Sequence, residues 1–188
     1  GTGAAPLEFS NHMGMPLQDG LMIVHNTLRG AGIRGRIRIG AAGKMVTAFD
    51  IARTLAMGAD WCNSARGFMF SVGCIQAQAC HTNECPVGVA TQDKLRQKAL
   101  NVADKSVRVA NFHNNTLKAL GHMIGAAGLE QPYELSPYHF NYRQQRGETI
   151  EGDLLFVPIN DGSLLDGSCK DESLMSRWRR ARPESFAR

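Results

Sequence analysis

Residues 73–92 hold the densest group of potential metal ligands in the chain. Cys74, Cys80 and Cys85 lie within a short stretch, and Pro86 follows the last of them. Thiolates suit zinc, copper(I) and iron–sulfur clusters, and a Cys-Pro pair also ends the cysteine run of bacterial ferredoxins. The spacing lacks the two-residue gap of structural zinc sites. Three ligands suit a cluster that lacks one iron, or a four-iron cluster whose last ligand comes from elsewhere. The alternative to a metal site is that these cysteines are buried or disulfide-bonded thiols.

A second group of candidate binding residues lies in two turns rich in small side chains. The first turn holds Gly43 and Lys44, and the second holds Ala65, Arg66 and Gly67. Each turn follows a predicted strand and opens a predicted helix, where backbone N–H groups and the helix dipole attract a phosphate. Glycine lets the backbone approach closely, and the basic side chains add charged contacts. Because such turns need small residues for geometry alone, an ordinary pair of turns is the alternative.

The elements that must position these turns favour an α/β fold. Apolar spacing predicts a helix over residues 17–28. Short strands are predicted at residues 36–39 and 59–63, and helices at residues 48–57, capped by a threonine, and 68–79. Strands that alternate with helices imply a parallel sheet. In β/α barrels, phosphate commonly binds between the loops after strands 7 and 8.

The remaining segments carry weaker patterns. Residues 1–16, rich in glycine and proline, predict one long loop. A long helix is predicted from Asp104, as its N-cap, to about residue 126. Residues 154–157 indicate a strand, and the basic run at residues 177–182 indicates a solvent-exposed helix.

Composition limits the classes of protein that fit. The chain has 188 residues, of which 43% are hydrophobic and 20% charged, as in ordinary globular proteins. The net charge of +4 is too small to argue for nucleic acid, and no apolar run approaches the ~20 residues of a spanning helix. Five unevenly placed cysteines argue against a secreted disulfide framework, so we expect a reducing compartment, the cytoplasm. Cys62 and Cys169 lie apart from the cysteine stretch and are weak ligand candidates.

Several stretches together resemble the FMN-binding domain of glutamate synthase. They are GTGAAP, GLMIVHNTL, RIRIGAAGKMVTAFDIARTLAMGAD, the SARG turn and GCIQAQACHTNECPVGVATQD. The resemblance covers residues 1–128 and corresponds to the C-terminal half of that domain. It is closest to the stand-alone FMN-binding members of the family. It implies an α/β chain that forms the C-terminal part of a TIM-type β/α barrel, incomplete here. A cysteine-rich cluster loop would occupy residues 73–92, and a C-terminal helical extension of unknown role residues 129–188.

The resemblance also implies an oxidoreductase that carries FMN beside a 3Fe-4S cluster. An electron donor, ferredoxin or an NAD(P)H-oxidising subunit, would reduce the flavin. The reduced flavin would then convert 2-iminoglutarate, made from 2-oxoglutarate and ammonia, to L-glutamate, with ammonia or glutamine as the amino donor. The residues that match the cluster ligands are Cys74, Cys80 and Cys85. Those that match the turns around the FMN phosphate are Gly43, Lys44, Ala65, Arg66 and Gly67. Those that match the loop lining the flavin and substrate side are Gly1, Thr2 and Gly3.

The resemblance covers only part of a barrel, since a complete β/α barrel takes ~250 residues. The first strands and the catalytic residues of the family would precede Gly1. Half a barrel leaves open sheet edges and an exposed core face. We therefore expect this chain alone to be inactive unless a second chain supplies the other half. A non-catalytic iron–sulfur or metal-binding module derived from the same family is the alternative.

Overall fold

Two parallel strands and the helices that follow them form the centre of the fold. The computed structural model describes residues 5–144 and 147–185. The α-helices are α1 (Leu7–His12), α2 (Leu17–Gly30), α3 (Ala48–Ala56), α4 (Ala65–Ser71), α5 (Lys94–Gln97), α6 (Val102–Ala126), α7 (Gly152–Leu155) and α8 (Glu172–Arg180). The strands are β1 (Gly40–Ala42), β2 (Trp61–Asn63), β3 (Asn141–Arg143) and β4 (Thr149–Glu151). Short 3₁₀-helices occupy Arg34–Arg36, Pro132–Glu134 and Pro137–His139.

Strands β1 and β2 pair in parallel and are joined by α3, which confirms the predicted α/β class. Gly40 lies opposite Trp61, whose indole covers it so closely that a Cβ on Gly40 would lie 2.7 Å from the Trp61 Nε1. On the other face of the pair, Ala41 is buried in the main core. Two paired strands do not define a closed barrel, so the TIM-type barrel stays a prediction.

Helix α3 forms where its sequence predicts. Thr47 is the N-cap, as predicted: Asp50 N donates to the Thr47 Oγ1 at 3.2 Å, and Thr47 N donates to the Asp50 carboxylate at 2.9 Å. Ala52 is fully buried where α3 packs against α6. The small side chains on this face allow the two helices to approach closely.

Two sequence predictions in the first part of the chain are wrong. Residues 36–39 do not form a strand, because Ile39 N donates to the Asp60 Oδ2 at 2.6 Å and the ladder begins one residue later. Residues 1–16 are not one loop, because α1 forms between Pro6 and Gly14, where no helix-breaking residue interrupts the segment.

Two further predictions are corrected toward the C-terminus, and one is confirmed. Residues 154–157 begin in helix α7 rather than a strand. Asn101, not Asp104, caps α6, since Asp104 N donates to the Asn101 Oδ1 at 3.3 Å. The predicted basic helix exists as α8, which Asp171 caps by accepting from Leu174 N at 2.9 Å. Within the described ranges, no helix is both long and apolar enough to cross a membrane.

The segment after α7 packs against the end of α2. Leu164 N donates to Gly30 O at 3.0 Å, and the Leu164 side chain lies over the bare Cα of Gly30. Leu164 belongs to a separate apolar cluster that includes Cys169 and Leu174. The C-terminal segment therefore has a small core of its own beside α2.

Asp60 links the chain segments at the start of both parallel strands. Its carboxylate accepts from Ile39 N at 2.6 Å, from Arg34 Nη2 at 2.9 Å and from Arg38 Nη1 at 3.1 Å. Burial disfavours the charged carboxylate, but these donors outweigh it and hold the pKa of Asp60 below its usual value. Arg34 also donates through Nε to the His25 Nδ1 at 3.2 Å, which joins α2 to the same network.

We expect acid to weaken this network through His25. Burial first, then the positive charges of Arg34 and Arg29, lower the pKa of His25 below its usual value, against a smaller opposing effect from the Gly58 carbonyl and Asp60. Protonation of Nδ1 also removes the acceptor for Arg34 Nε–H. Because the pKa is lower in the folded chain, this contribution to stability is complete above about pH 6.5 and is lost as the pH falls through the folded pKa.

The measurement is the free energy of unfolding in urea between about pH 5 and pH 8. His25→Gln should flatten the slope below about pH 6.5. His122→Gln, at an exposed position of α6, is the matched control and should leave the slope unchanged. Equal slopes in the parent chain and in His25→Gln would contradict the assignment.

Candidate cofactor and cluster site

The end of helix α4 places Cys74 at the start of the cysteine loop. The predicted helix over residues 68–79 is wrong beyond Ser71, where α4 ends. Gly73 has a φ of +104°, and Cys74 N donates back to Met69 O at 3.0 Å. This arrangement is a Schellman motif, in which a left-handed glycine ends the helix. Cys74 therefore lies in a loop rather than inside a helix.

Three residues of the loop adopt left-handed backbone conformations that glycine usually takes. Gln76 has a φ of +57°, Gln78 of +58° and Asn83 of +67°. Such conformations cost free energy for residues with a Cβ and concentrate at functional sites. The backbone of the loop therefore adopts a conformation that non-glycine residues at these positions do not favour.

The three loop cysteines line one small cavity. It has a volume of about 10 Å³ and is otherwise lined mostly by apolar side chains. Cys85 is buried, whereas Cys74 and Cys80 are partly exposed. All five cysteines of the chain are free, so the interpretation as disulfide-bonded cysteines is wrong for this structure.

Cys85 lies in a setting that favours its thiolate. Burial raises the pKa of this thiol, but the backbone N–H groups of Ala90, Val87, Val89 and Gly88 outweigh burial, so its pKa is lower than usual. Thiolates are the form that binds metal. The peptide after Cys85 therefore provides electrostatic support for a ligating sulfur.

The two cysteines outside the loop behave differently. Burial raises the pKa of the Cys62 thiol to about 11, and its Sγ lies 4.0 Å from Ile51 O. Cys169 is buried in the C-terminal apolar cluster. Both thiols pack with apolar clusters away from the cysteine loop.

The donor set of the loop suits an iron–sulfur cluster. Three free thiols line one cavity, and backbone N–H groups favour the thiolate form of Cys85. Within the described ranges, no three His, Cys, Asp or Glu side chains surround one metal position. In a cluster each thiolate binds a different iron, so its ligands are spread more widely than those of a single ion. Since the void is only about 10 Å³, the loop would have to widen to admit a cluster.

A second cavity joins the basic turns to the cysteine loop. It has a volume of about 130 Å³, and its lining includes Lys44, Arg66, Cys74 and Cys80. The two turns are held together because the Ser64 Oγ donates to Met45 O at 2.8 Å. Residues that the sequence places far apart thus meet around one space.

The two basic residues in this cavity differ in their partners. Lys44 has a φ of +51°, and its Nζ donates to the Asn11 Oδ1 at 2.9 Å. Arg66 is partly buried, and none of the residues that the structure describes forms a hydrogen bond or ion pair with its guanidinium. A partly buried guanidinium without a counterion is a suitable binding group for a phosphate.

The other predicted phosphate residues lie around this cavity rather than in it. Gly43 lines a neighbouring groove with Lys44, on the side of α1. Ala65 and Gly67 form the first turn of α4. A Cβ on Gly67 would lie 2.6 Å from the Phe112 Cζ, so packing against α6 explains why this residue is small. Gly1, Thr2 and Gly3, which were predicted to line the flavin and substrate side, lie outside the described residues.

Sequence reasoning missed three polar residues of this region. Asn11 was assigned to a loop, yet α1 carries it to Lys44. Asn83 and Thr91 close the cysteine loop, as described below. The one available signal was the tolerance of asparagine for left-handed backbone, which fits Asn83.

The fold and the site define an α/β protein whose cysteine-rich loop adjoins a basic pocket at the ends of two parallel strands. Comparison with known families gives a match to a family described as the conserved region in glutamate synthase, over residues 1–130. The chain belongs to the glutamate synthase family.

Individual relatives agree with this family. The chain is 45% identical over 155 residues to the glutamate synthase large subunit-like protein YerD of Bacillus subtilis, covering 82% of the chain and 30% of that protein. It is 37% identical over 131 residues to the ferredoxin-dependent glutamate synthase 2 of Synechocystis sp., covering 69% of the chain and 8% of that protein. The NADPH glutamate synthase large chain of Bacillus subtilis is 33% identical over 154 residues, covering 77% of the chain and 10% of that protein. The chain thus spans less than a third of each of these relatives.

Proposed function

We propose that this chain is the cofactor- and cluster-binding part of a glutamate synthase-like oxidoreductase, which forms L-glutamate from 2-oxoglutarate and an amino donor. The observation that carries the proposal is the cavity of about 130 Å³ in which Lys44 and Arg66 meet Cys74 and Cys80. Membership of the family supports the reaction class. The groups proposed to bind are FMN and a 3Fe-4S cluster.

The basic turns would hold the FMN phosphate. Arg66 offers a planar guanidinium with unused donors, and Lys44 offers an ammonium that Asn11 orients. Gly43 and the first turn of α4, with Ala65 and Gly67, form the surrounding backbone. Bound FMN would supply hydride chemistry and the cluster one-electron transfer, while the protein positions both.

The cysteine loop would hold the cluster beside that phosphate site. Cys74 and Cys80 line both cavities, so one wall separates the two proposed sites. Cys85 lies on the far side, buried among N–H donors. This adjacency suits electron transfer between a cluster and a flavin.

The remaining parts of the active site are proposed to come from outside the described residues. The β-face that carries Gly40, Ala42, Trp61 and Asn63 is exposed, whereas layers of packed side chains fill the interior of a complete barrel. Further barrel strands, on the same or another chain, would cover it and complete the sites for 2-oxoglutarate and for ammonia or glutamine. The relatives named ferredoxin-dependent and NADPH glutamate synthases support an external electron donor of either kind.

The test of the phosphate site compares FMN with riboflavin, which lacks the phosphate. We expect Arg66→Gln to weaken FMN binding about tenfold, since a charge-assisted hydrogen bond contributes ~1.5 kcal/mol or more. Riboflavin binding should be unchanged. Both are measured by flavin fluorescence with the full chain at low ionic strength.

Arg108→Gln, at an exposed position on α6, is the matched control and should not change FMN binding. An equal loss for FMN and riboflavin, or no loss for either, would contradict the phosphate assignment. A chain that assembles a cluster yet binds no flavin would instead support the non-catalytic metal-binding module.

A further inference from the structure

The half of the cysteine loop that carries Cys85 is closed by a cross-link between Asn83 and Thr91. The Thr91 Oγ1 donates to Asn83 O at 2.6 Å, with the Asn83 Oδ1 3.1 Å away. The same Asn83 Oδ1 accepts from Gln92 N at 2.6 Å. Thr91 is only 8% exposed, so water competes little for these bonds.

Helix α5 holds the closed loop from outside. Arg96 Nη1 donates to Glu84 O at 3.0 Å, and Gln97 Nε2 donates to Thr91 O at 2.8 Å. Gly88 packs directly on the backbone carbonyl of Arg96, where a Cβ would not fit. Its φ of +78° also requires glycine. The ring from residue 83 to residue 92 is therefore fixed on both sides.

The cross-link encloses the backbone segment that carries Cys85. Cys85 sits between the two linked residues, and the N–H groups directed at its sulfur come from residues 87–90 of the same ring. By contrast, the bonds beside Cys74 and Cys80 are local: Gln76 N donates to the Cys74 Sγ at 3.5 Å, and the Thr82 Oγ1 donates to Ala79 O at 2.9 Å. The loop thus holds one cysteine firmly and two more loosely.

We propose that Thr91 and Asn83 are positioning residues for Cys85 as a cluster ligand. Through these two residues the protein would hold Cys85 independently of the other two cysteines. The inference rests on the proposed cluster. Residues that orient a metal ligand typically affect metal retention by 10–100-fold, although they touch no metal.

The experiment measures how fast the full chain loses its cluster. The chain is loaded anaerobically with iron and sulfide, and excess chelator is added while visible absorption and the EPR signal are followed. Thr91→Val removes the hydroxyl and keeps the shape of the side chain. We expect it to lose the cluster about tenfold faster than the parent chain, and Thr91→Ser to restore the parent rate.

Thr82→Val is the matched control in the same loop. The Thr82 hydroxyl bonds only locally, to Ala79 O at 2.9 Å and from Glu84 N at 3.2 Å, so the rate should stay within about twofold of the parent. Should Thr91→Val fail to fold, Asn83→Ala and Asn83→Asp replace it. Alanine keeps the backbone acceptor of Thr91 but removes the Oδ1 that accepts from Gln92 N, and should speed the loss. Aspartate keeps both a side-chain acceptor and the tolerance for a positive φ.

The experiment distinguishes a failure of the positioning role from a failure of the proposed cluster. If Thr91→Val and Asn83→Ala both lose the cluster at the parent rate, the positioning role is overturned and the proposed cluster stands. No cluster in the unsubstituted chain overturns the cluster proposal and this inference with it.

Discussion

Replacing Asp60 by alanine is expected to lower the free energy of unfolding by about 3 kcal/mol, because it leaves a buried charge without its partner. The side chains of Arg34 and Asp60 are only 19% and 17% exposed, and their Nη2 and Oδ2 atoms lie 2.9 Å apart. The substitution also leaves Ile39 N without the acceptor that it has at 2.6 Å.

Asp161→Ala provides the matched control for this change. Asp161 pairs with Arg29 at 2.9 Å, a similar distance, but its side chain is 73% exposed. Exposed pairs contribute about 0–1 kcal/mol, so the control should unfold almost like the parent chain. Urea unfolding followed by circular dichroism measures both variants. Similar destabilisation in the two would contradict the role given to Asp60.

Cys85→Ser is expected to abolish the iron–sulfur signal of the anaerobically loaded chain. Serine keeps the size of the residue but replaces a soft thiolate ligand by a hydroxyl that stays protonated. The N–H groups around this position favour the thiolate in the parent chain, so the largest loss is expected here. Cys74→Ser and Cys80→Ser should also remove most of the signal, since both residues line the same cavity.

Cys62→Ser is the control for the cysteine series. Its thiol, with a pKa of about 11, stays protonated at neutral pH and lies outside the loop, so the cluster content should match that of the parent. Visible absorption, EPR and the ratio of iron to chain measure the content. A Cys85→Ser chain with the parent amount of cluster would overturn the ligand assignment.

Local sequence patterns predicted α2, α3 and α6, but they missed α1 and α7 and placed the start of β1 wrongly. Helix α3 was predictable because Thr47 and the spacing of its apolar residues act within a few positions. The start of β1 was not, because the hydrogen-bond partner of Ile39 N is Asp60, 21 residues later. The early end of α4 depended on Gly73, whose left-handed conformation turns the chain out of a helix that the apolar pattern would continue.

The candidate site divides in a similar way. Crowded cysteines can be recognised in any sequence, and the basic residues of the two turns follow from the predicted βα units. Two other contacts depend on how separate segments pack, so local patterns could not predict them. They are the bond of Lys44 to Asn11 and the closure of the loop by Thr91. The packing of Gly67 against Phe112 is a further reason for its small size, and the local sequence does not show it.

The packing of Trp61 over Gly40 has a consequence for how this protein can change over evolution. Any side chain at position 40 would collide with the indole ring, so the size of one residue sets the limit for the other. A larger residue at position 40 would require either the indole, which is 47% exposed, to move aside or a smaller residue at position 61. The effect of a mutation at position 40 therefore depends on which residue occupies position 61.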